Sequence, residues 1–296
     1  MYLTKEEEKM LDGEYGAAIE LAMKVLTKLG DAVGAEKLIP ITSCHVLGEY
    51  SSLHVAGVRN IERYAELDGR FSVLTTMNPA SISISKKDQF CREFLVDDQY
   101  AWWQMRSASA LNLMGAALIW SCTPYYHFNI PHIGDHVAWT ESSAVIFANS
   151  VLGARTERYT AGIEVAAGIA GRTILYGLHI EENRKGTILI KVKDDVELKR
   201  NVDFTILGYF MGMISKTEIP VITGIKQATF DNLKIFGAAA TGPGRTPLFH
   251  IPGITPEAKT LEEAFGGEKP EDVVEFDRKE YMEVKDKICT TGGGDV

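Results

Sequence analysis

The chain has 296 residues, of which 45% are hydrophobic and 24% charged, the balance of a globular protein and not of a disordered or fibrous one. Its 40 acidic residues outnumber 31 basic ones, for a formal net charge of −9; this argues against a nucleic-acid partner, since a phosphate backbone selects a basic face. The opening MYLTKEEEKML lacks the basic-then-apolar order of a secretory signal, and no run of about 18 apolar residues occurs. The expectation is a cytoplasmic chain without a membrane span. Its four cysteines, Cys44, Cys91, Cys122 and Cys289, form no CxxC pair, so no disulfide framework is expected.

Thr4 and Glu7 have the spacing of a capping box and predict a first short helix. Ala18, Leu21, Ala22, Val25, Leu26 and Leu29 recur at helical spacing, predicting a helix that ends at Gly30. The apolar run Leu38 to Thr42 predicts a strand that delivers Ser43, Cys44 and His45 at its C-terminal end. A helix over 53–67 and a strand over 71–76 follow, the strand stopped by Asn78-Pro79. Residues 100–117 read as a helix, and 117–121 as a third strand running into Cys122-Thr123-Pro124. Ser142 to Leu152 reads as a helix closed by Gly153. Strands over 187–192, 219–223 and 248–251 then alternate with helices over 203–214 and 230–240, and Thr255-Pro256-Glu257 has the pattern of a helix start. This alternation predicts an α/β protein with a largely parallel sheet. The charged stretch Arg184–Arg200 suggests a division into regions 1–195 and 196–296.

Parallel sheets gather ligands at the C-terminal ends of their strands, and the polar clusters Ser43–His45, Thr75–Asn78 and Ser121–Thr123 fall there. His45 and Asn78 are therefore expected at one mouth with Cys122. A cysteine in such a loop is either a structural thiol or a metal ligand, and its thiolate needs a cation to form near neutral pH. Glu141 and Ser142 open a helix, where they either cap it or, with its N–H groups, cradle an anion. Asn149 lies further along that helix, and Arg155 follows its end with a guanidinium suited to a carboxylate or phosphate. Gly242-Pro243-Gly244-Arg245 resembles a phosphate loop without the Lys-Ser/Thr ending and reads as a turn. His45, His127, His132 and His136 lack zinc-site spacing, and no GxSxG or usable GxGxxG is present.

Six segments in series resemble the large subunit of the aconitase X family: LIPITSCHVLGE at 38–49, TTMNPAS at 75–81, SCTPYY at 121–126, GDHVAWTESSAVIFANSVLGART at 134–156, GRTILYGLHIEENR at 171–184 and PLFHIPGITPEA at 247–258. The resemblance implies an aconitase-like α/β fold with largely parallel sheets and helices on both faces, incomplete at the C-terminus. It also implies an iron–sulfur cluster, of the [4Fe–4S] type, on three cysteines, with Cys122 as the first ligand and an open iron acting as a Lewis acid. Family members continue for about another domain-sized hundred residues, to a Gly-Cys-Pro-His motif and a later cysteine. This chain is thus expected not to complete a cluster alone. Neither Cys289 nor Cys44, where relatives tend to have a small residue, is read as a replacement. No catalytic base is expected here, because the family's serine base sits on a small swivelling-domain subunit, the implied partner. The implied reaction is dehydration of a small anionic hydroxy acid, (R)-5-phosphomevalonate or alternatively cis-3-hydroxy-L-proline. A cluster-less binding or regulatory subunit is the reading from a different class. The substrate-binding candidates are His45, Gly48, Asn78, Pro79, Glu141, Ser142, Ser143, Asn149 and Arg155. The surface beside the site is expected to be apolar.

Overall fold

The computed structural model describes residues 1–93, 97–216 and 218–291, with only the backbone at 84 and 289–291. The Cys289 side chain and residues 292–296 therefore lie outside the described residues. The chain forms two compact units that interleave along the sequence. The first comprises Met1–Pro131, Asp135–Glu141 and Thr156–His179; the second comprises His132–Gly134, Ser142–Arg155 and the chain from Ile180 onward. Among the described residues, no helix is long and apolar enough to cross a membrane.

In chain order, α1 (Lys5–Leu11) starts at the expected capping box, Thr4 taking the Glu7 N–H and Glu7 the Thr4 N–H. Helix α2 (Ala17–Val33) passes through Gly30 and ends at Gly34, in the left-handed region at φ 71°. Gly30 is a packing position instead of a stop, since a Cβ there would meet the Met1 thioether and Ile174. The apolar run after α2 is two strands, not one. β1 (Leu38–Pro40) pairs antiparallel with the later β5, and β2 (Ser43–Val46) is a separate, fully buried strand. Ser43, Cys44 and His45 thus lie inside a strand, and the strand-end loop is Leu47–Glu49.

Helix α3 (Tyr50–Glu66), β3 (Leu74–Met77), α4 (Lys87–Glu93) and α5 (Asp98–Leu113) follow. The run over 117–121 is only an isolated bridge of Ala117 to Thr76. A short strand that the pattern did not predict, β4 (Val137–Trp139), completes a parallel sheet of order β3-β2-β4, with His45 opposite both Thr76 and Trp139. Helix α6 (Ser142–Phe147) runs on as one π-helical turn, Ala148–Leu152, closed at Gly153 as expected. Helix α7 (Ile163–Ala170) and β5 (Arg172–Ile174) return to the first unit. There α2 packs on α7 and α3 on α5, around Met23, Leu26, Val58, Ile61, Leu111 and Val165.

The second unit has a parallel sheet of order β7-β6-β8, from β6 (Ile188–Val192), β7 (Pro220–Thr223) and β8 (Asp272–Phe276). Helices α8 (Asn201–Ser215) and α9 (Phe230–Ala240) pack together, followed by α10 (Leu261–Ala264) and α11 (Arg278–Thr291). The segment 248–251 contributes a single bridge, His250 to Val221. No helix begins at Thr255, because its hydroxyl accepts the Ile251 N–H at 2.9 Å and closes a turn backward instead of capping forward.

Candidate functional site

The C-terminal ends of β2 and β3 in the first unit form a polar mouth. His45 is fully buried in β2. One ring nitrogen meets Thr76 Oγ1 at 2.9 Å and the other Asn78 Oδ1 at 3.2 Å. Burial pulls its pKa down to about 4 against the help of those bonds, so the ring is neutral. Asn129 donates to both Thr76 Oγ1 and the Cys44 carbonyl, at 2.9 and 3.0 Å. His45 therefore holds Asn78, with both of its nitrogens engaged by protein groups.

Gly48 lies where a Cβ would overlap the Met77 thioether, so any larger residue there would require the Met77 side chain to move. Its carbonyl accepts Gln104 Nε2 and Ser107 Oγ, each at 2.9 Å, from α5. Gln104 Oε1 in turn takes the Tyr50 and Ser81 N–H groups at 3.0 Å. One buried glutamine thus clamps the loops after β2 and β3. Pro79 lines a groove of about 660 Å³ with Ala80, Ile82, Ser83, Ser85 and Trp120.

Cys122 is half-buried in the loop after the Ala117 bridge. That loop is fixed to the sheet by Tyr125, stacked on Trp139 with centroids 6.5 Å apart, and by Asn129. Burial, and then the Glu141 and Glu49 carboxylates, push the Cys122 thiol up to about 11. Glu49 is itself raised by burial, while Asn78, Ser52 and the Gly48 N–H draw it back. Cys122, Asn78, Glu49 and Glu141 therefore share one electrostatic environment. Trp120, Tyr126, Phe128 and Ile130, all on the Cys122 loop, expose apolar surface.

The remaining candidates lie in the second unit. Ser142 and Ser143 open α6, half-buried. Asn149 is buried, its amide donating to the Pro247 carbonyl at 3.0 Å and accepting from Arg184 at 3.3 Å. This ties Asn149 into the framework and not into an anion cradle. Arg155 pairs with Glu181, so its charge is already matched. The sequence reading missed Arg184, which is 3% exposed. Its guanidinium forks onto Glu257 at 2.9–3.1 Å and also bonds the Asn149 and Ala154 carbonyls. It missed Glu49, Gln104 and Glu164 as well. Of these, Glu49 and Arg184 closed segments already singled out, 38–49 and 171–184.

For a cluster held by three thiolates, the donor set is short. Among the described residues, no three His, Cys, Asp or Glu groups converge as a metal site. The Cys44 thiol is fully buried and directed at the Ala138 and Glu164 carbonyls, 3.1 Å from each. The described residues thus offer Cys122 as one donor and do not by themselves fit a complete cluster.

The model of the aconitase X first domain matches residues 1–182, and that of the second domain residues 186–286. The chain belongs to the aconitase X family. It is 43% identical over 258 residues to the phosphomevalonate dehydratase large subunit of Thermococcus kodakarensis, covering 87% of this chain and 63% of that protein. To the cis-3-hydroxy-L-proline dehydratase of Pseudomonas aeruginosa it is 33% identical over 289 residues, covering 97% and 49%. The crystal structure of Thermococcus kodakaraensis aconitase X in its holo form superposes with a TM-score of 0.85 at 38% identity, covering 97% of this chain and 69% of that one. The chain thus spans about two thirds of the length of its archaeal relatives and about half that of the bacterial one.

Proposed function

We propose that this chain acts as the large-subunit part of an aconitase X-type hydro-lyase that dehydrates (R)-5-phosphomevalonate to anhydromevalonate phosphate. The observation that carries this reading is the position of Cys122, half-buried where the Glu141 and Glu49 carboxylates both act on it. Five archaeal phosphomevalonate dehydratase large subunits at 34–43% identity support it. In this reading Cys122 is one thiolate ligand of an iron–sulfur cluster whose other ligands lie outside the described residues. The partner is a small subunit, by the naming of those relatives. Gly48, Asn78, Pro79 and Glu141, all in the first unit, are the groups proposed to meet the substrate.

One observation favours a second substrate, cis-3-hydroxy-L-proline. The Glu49 and Glu141 carboxylates both act on Cys122, a setting that suits a ring ammonium better than a phosphate. The test is to combine the chain with a small subunit, then to measure iron content and the turnover of both substrates, for wild type and Cys122→Ala. Loss of iron and turnover with an unchanged circular-dichroism spectrum is the expected result. A Cys122→Ala protein that keeps both overturns the assignment, and the faster substrate decides between the two readings.

A further inference from the structure

Glu164 stands in the first turn of α7 with its side chain wholly buried. Its Oε1 accepts the Leu47 N–H at 3.4 Å, and its backbone carbonyl lies 3.1 Å from the Cys44 thiol. Oε2 has no hydrogen-bond partner, and neither have the Thr140 hydroxyl nor the Tyr64 phenol. Both of these buried groups act on the same carboxyl. The location matters because Leu47 leads directly into Gly48 and Glu49, and Thr140 into Glu141. Those are the ends of β2 and β4 from which the mouth is built. The Tyr64 phenol from α3 and the Thr140 hydroxyl just after β4, left open beside one half-open carboxyl, stand out in a core where nearly every such group is paired.

We propose that Glu164 is the positioning residue of the mouth, its carboxyl group tying the Leu47–Glu49 loop to the first turn of α7 beside the Thr140 hydroxyl that leads into Glu141. The proposal rests on reading that mouth as the ligand site. The titratable groups that face Glu164 are the Cys44 thiol from β2 and the Tyr64 phenol from α3; neither is a cation. Burial therefore raises the Glu164 pKa to about 7, although the Leu47, Gly162 and Glu164 N–H groups draw it down. The N–H bonds are kept in either form, but an ionised carboxylate there is a buried charge without a cation, which costs stability and favours water entry beside the loop.

The sign follows from linkage. A folded pKa raised from 4.5 to about 7 gives a contribution that is complete below about pH 4.5, fades as pH rises through 7, and stays level above. Glu164→Gln keeps the shape and cannot ionise, whereas Glu164→Ala removes the tie. On the whole protein, the melting temperature of Glu164→Gln minus that of wild type should climb between pH 4.5 and 7 and then flatten. Protection of the Leu47 amide against hydrogen exchange should fall at least tenfold in Glu164→Ala and survive in Glu164→Gln. A melting difference independent of pH overturns the proposal. So does a Leu47 amide equally protected in Glu164→Ala, and if that variant does not fold, the pH series on Glu164→Gln decides alone. Neither readout needs turnover. A protein that dehydrates neither substrate yet shows both effects sinks the dehydratase reading and leaves this one standing.

Discussion

The Nε2 atom of His45 lies 3.2 Å from Oδ1 of Asn78, inside a strand where the ring has no exposed surface. A histidine in that position cannot meet a ligand without dismantling its own bonds. It decides instead how the asparagine beside it is turned. Of the residues expected at the mouth, Asn78, itself buried, is thus the one that reaches Glu49, and His45 is its support.

Replacing His45 with Ala leaves Thr76 and Asn78 without their buried ring partner and opens a cavity. The expected loss is about 2–4 kcal/mol in urea unfolding at pH 7. The pH dependence has the opposite sign to that of Glu164. A folded pKa lowered from 6.5 to about 4 means that stability is full above 6.5 and lost as pH falls toward 4. The span corresponds to about 3 kcal/mol. Over this window the two groups counteract each other in the wild type, so His45→Gln should uncover a decline in stability with rising pH. If His45→Gln and wild type have parallel pH profiles, the buried neutral ring is not a source of stability.

Gly48→Ala should be costly for a reason of space, since the new methyl would overlap Met77. A loss of about 1–3 kcal/mol is expected, with weaker binding at the mouth. Adding Met77→Ala should return part of what Gly48→Ala removed, even though Met77→Ala alone destabilises. A double-mutant cycle with no coupling energy would show that the overlap is relieved elsewhere.

Cys122 should be a slow nucleophile in the metal-free chain. With its thiol at about 11 against an ordinary 9.0, the thiolate fraction at pH 8 is about a hundredfold lower, partly offset by greater intrinsic nucleophilicity. Alkylation by iodoacetamide, followed by peptide mass spectrometry, should run about tenfold slower than at an exposed cysteine. Glu141→Gln and Glu49→Gln should each speed it up. If neither does, the carboxylates are too well screened to matter.

Arg184→Ala would strand Glu257 and free the Asn149 and Ala154 carbonyls in a buried place. Breaking such a pair costs about 3–5 kcal/mol. Arg184→Lys keeps the charge without the fork and should still lose stability. Thermal melts of the two variants would check this, and a lysine variant as stable as wild type would show that charge alone is enough.

What the sequence disclosed and what it concealed can be traced to particular residues. The Thr4–Glu7 cap, the helix over 230–240 and the Asn78-Pro79 stop have local causes and were legible. Helix α7 was not, because Ile163–Ala170 is buried nearly all round and shows no helical stripe. Glu164 went unnoticed for the same reason. β2 reads as the polar end of a single strand over 38–42 because no local signal marks the change of pairing partner, which lies far away in sequence, at Thr173 for Ile39 and at Thr76 for His45. Arg184 stood at the start of a charged stretch read as a boundary between regions; its burial depends on Glu257, which no local pattern announces.

The pairing of Leu38 with Ile174 also bears on biosynthesis. As the chain leaves the ribosome, β1, β2 and the inward faces of α2 and α3 appear long before α7 and β5, which cover them. Closing so long a loop adds little to the equilibrium cost but delays the search. The nascent first unit therefore spends that interval with Met23, Leu26 and Ile61 uncovered. Until residue 174 has emerged, that apolar face is open to contact with another copy of the chain.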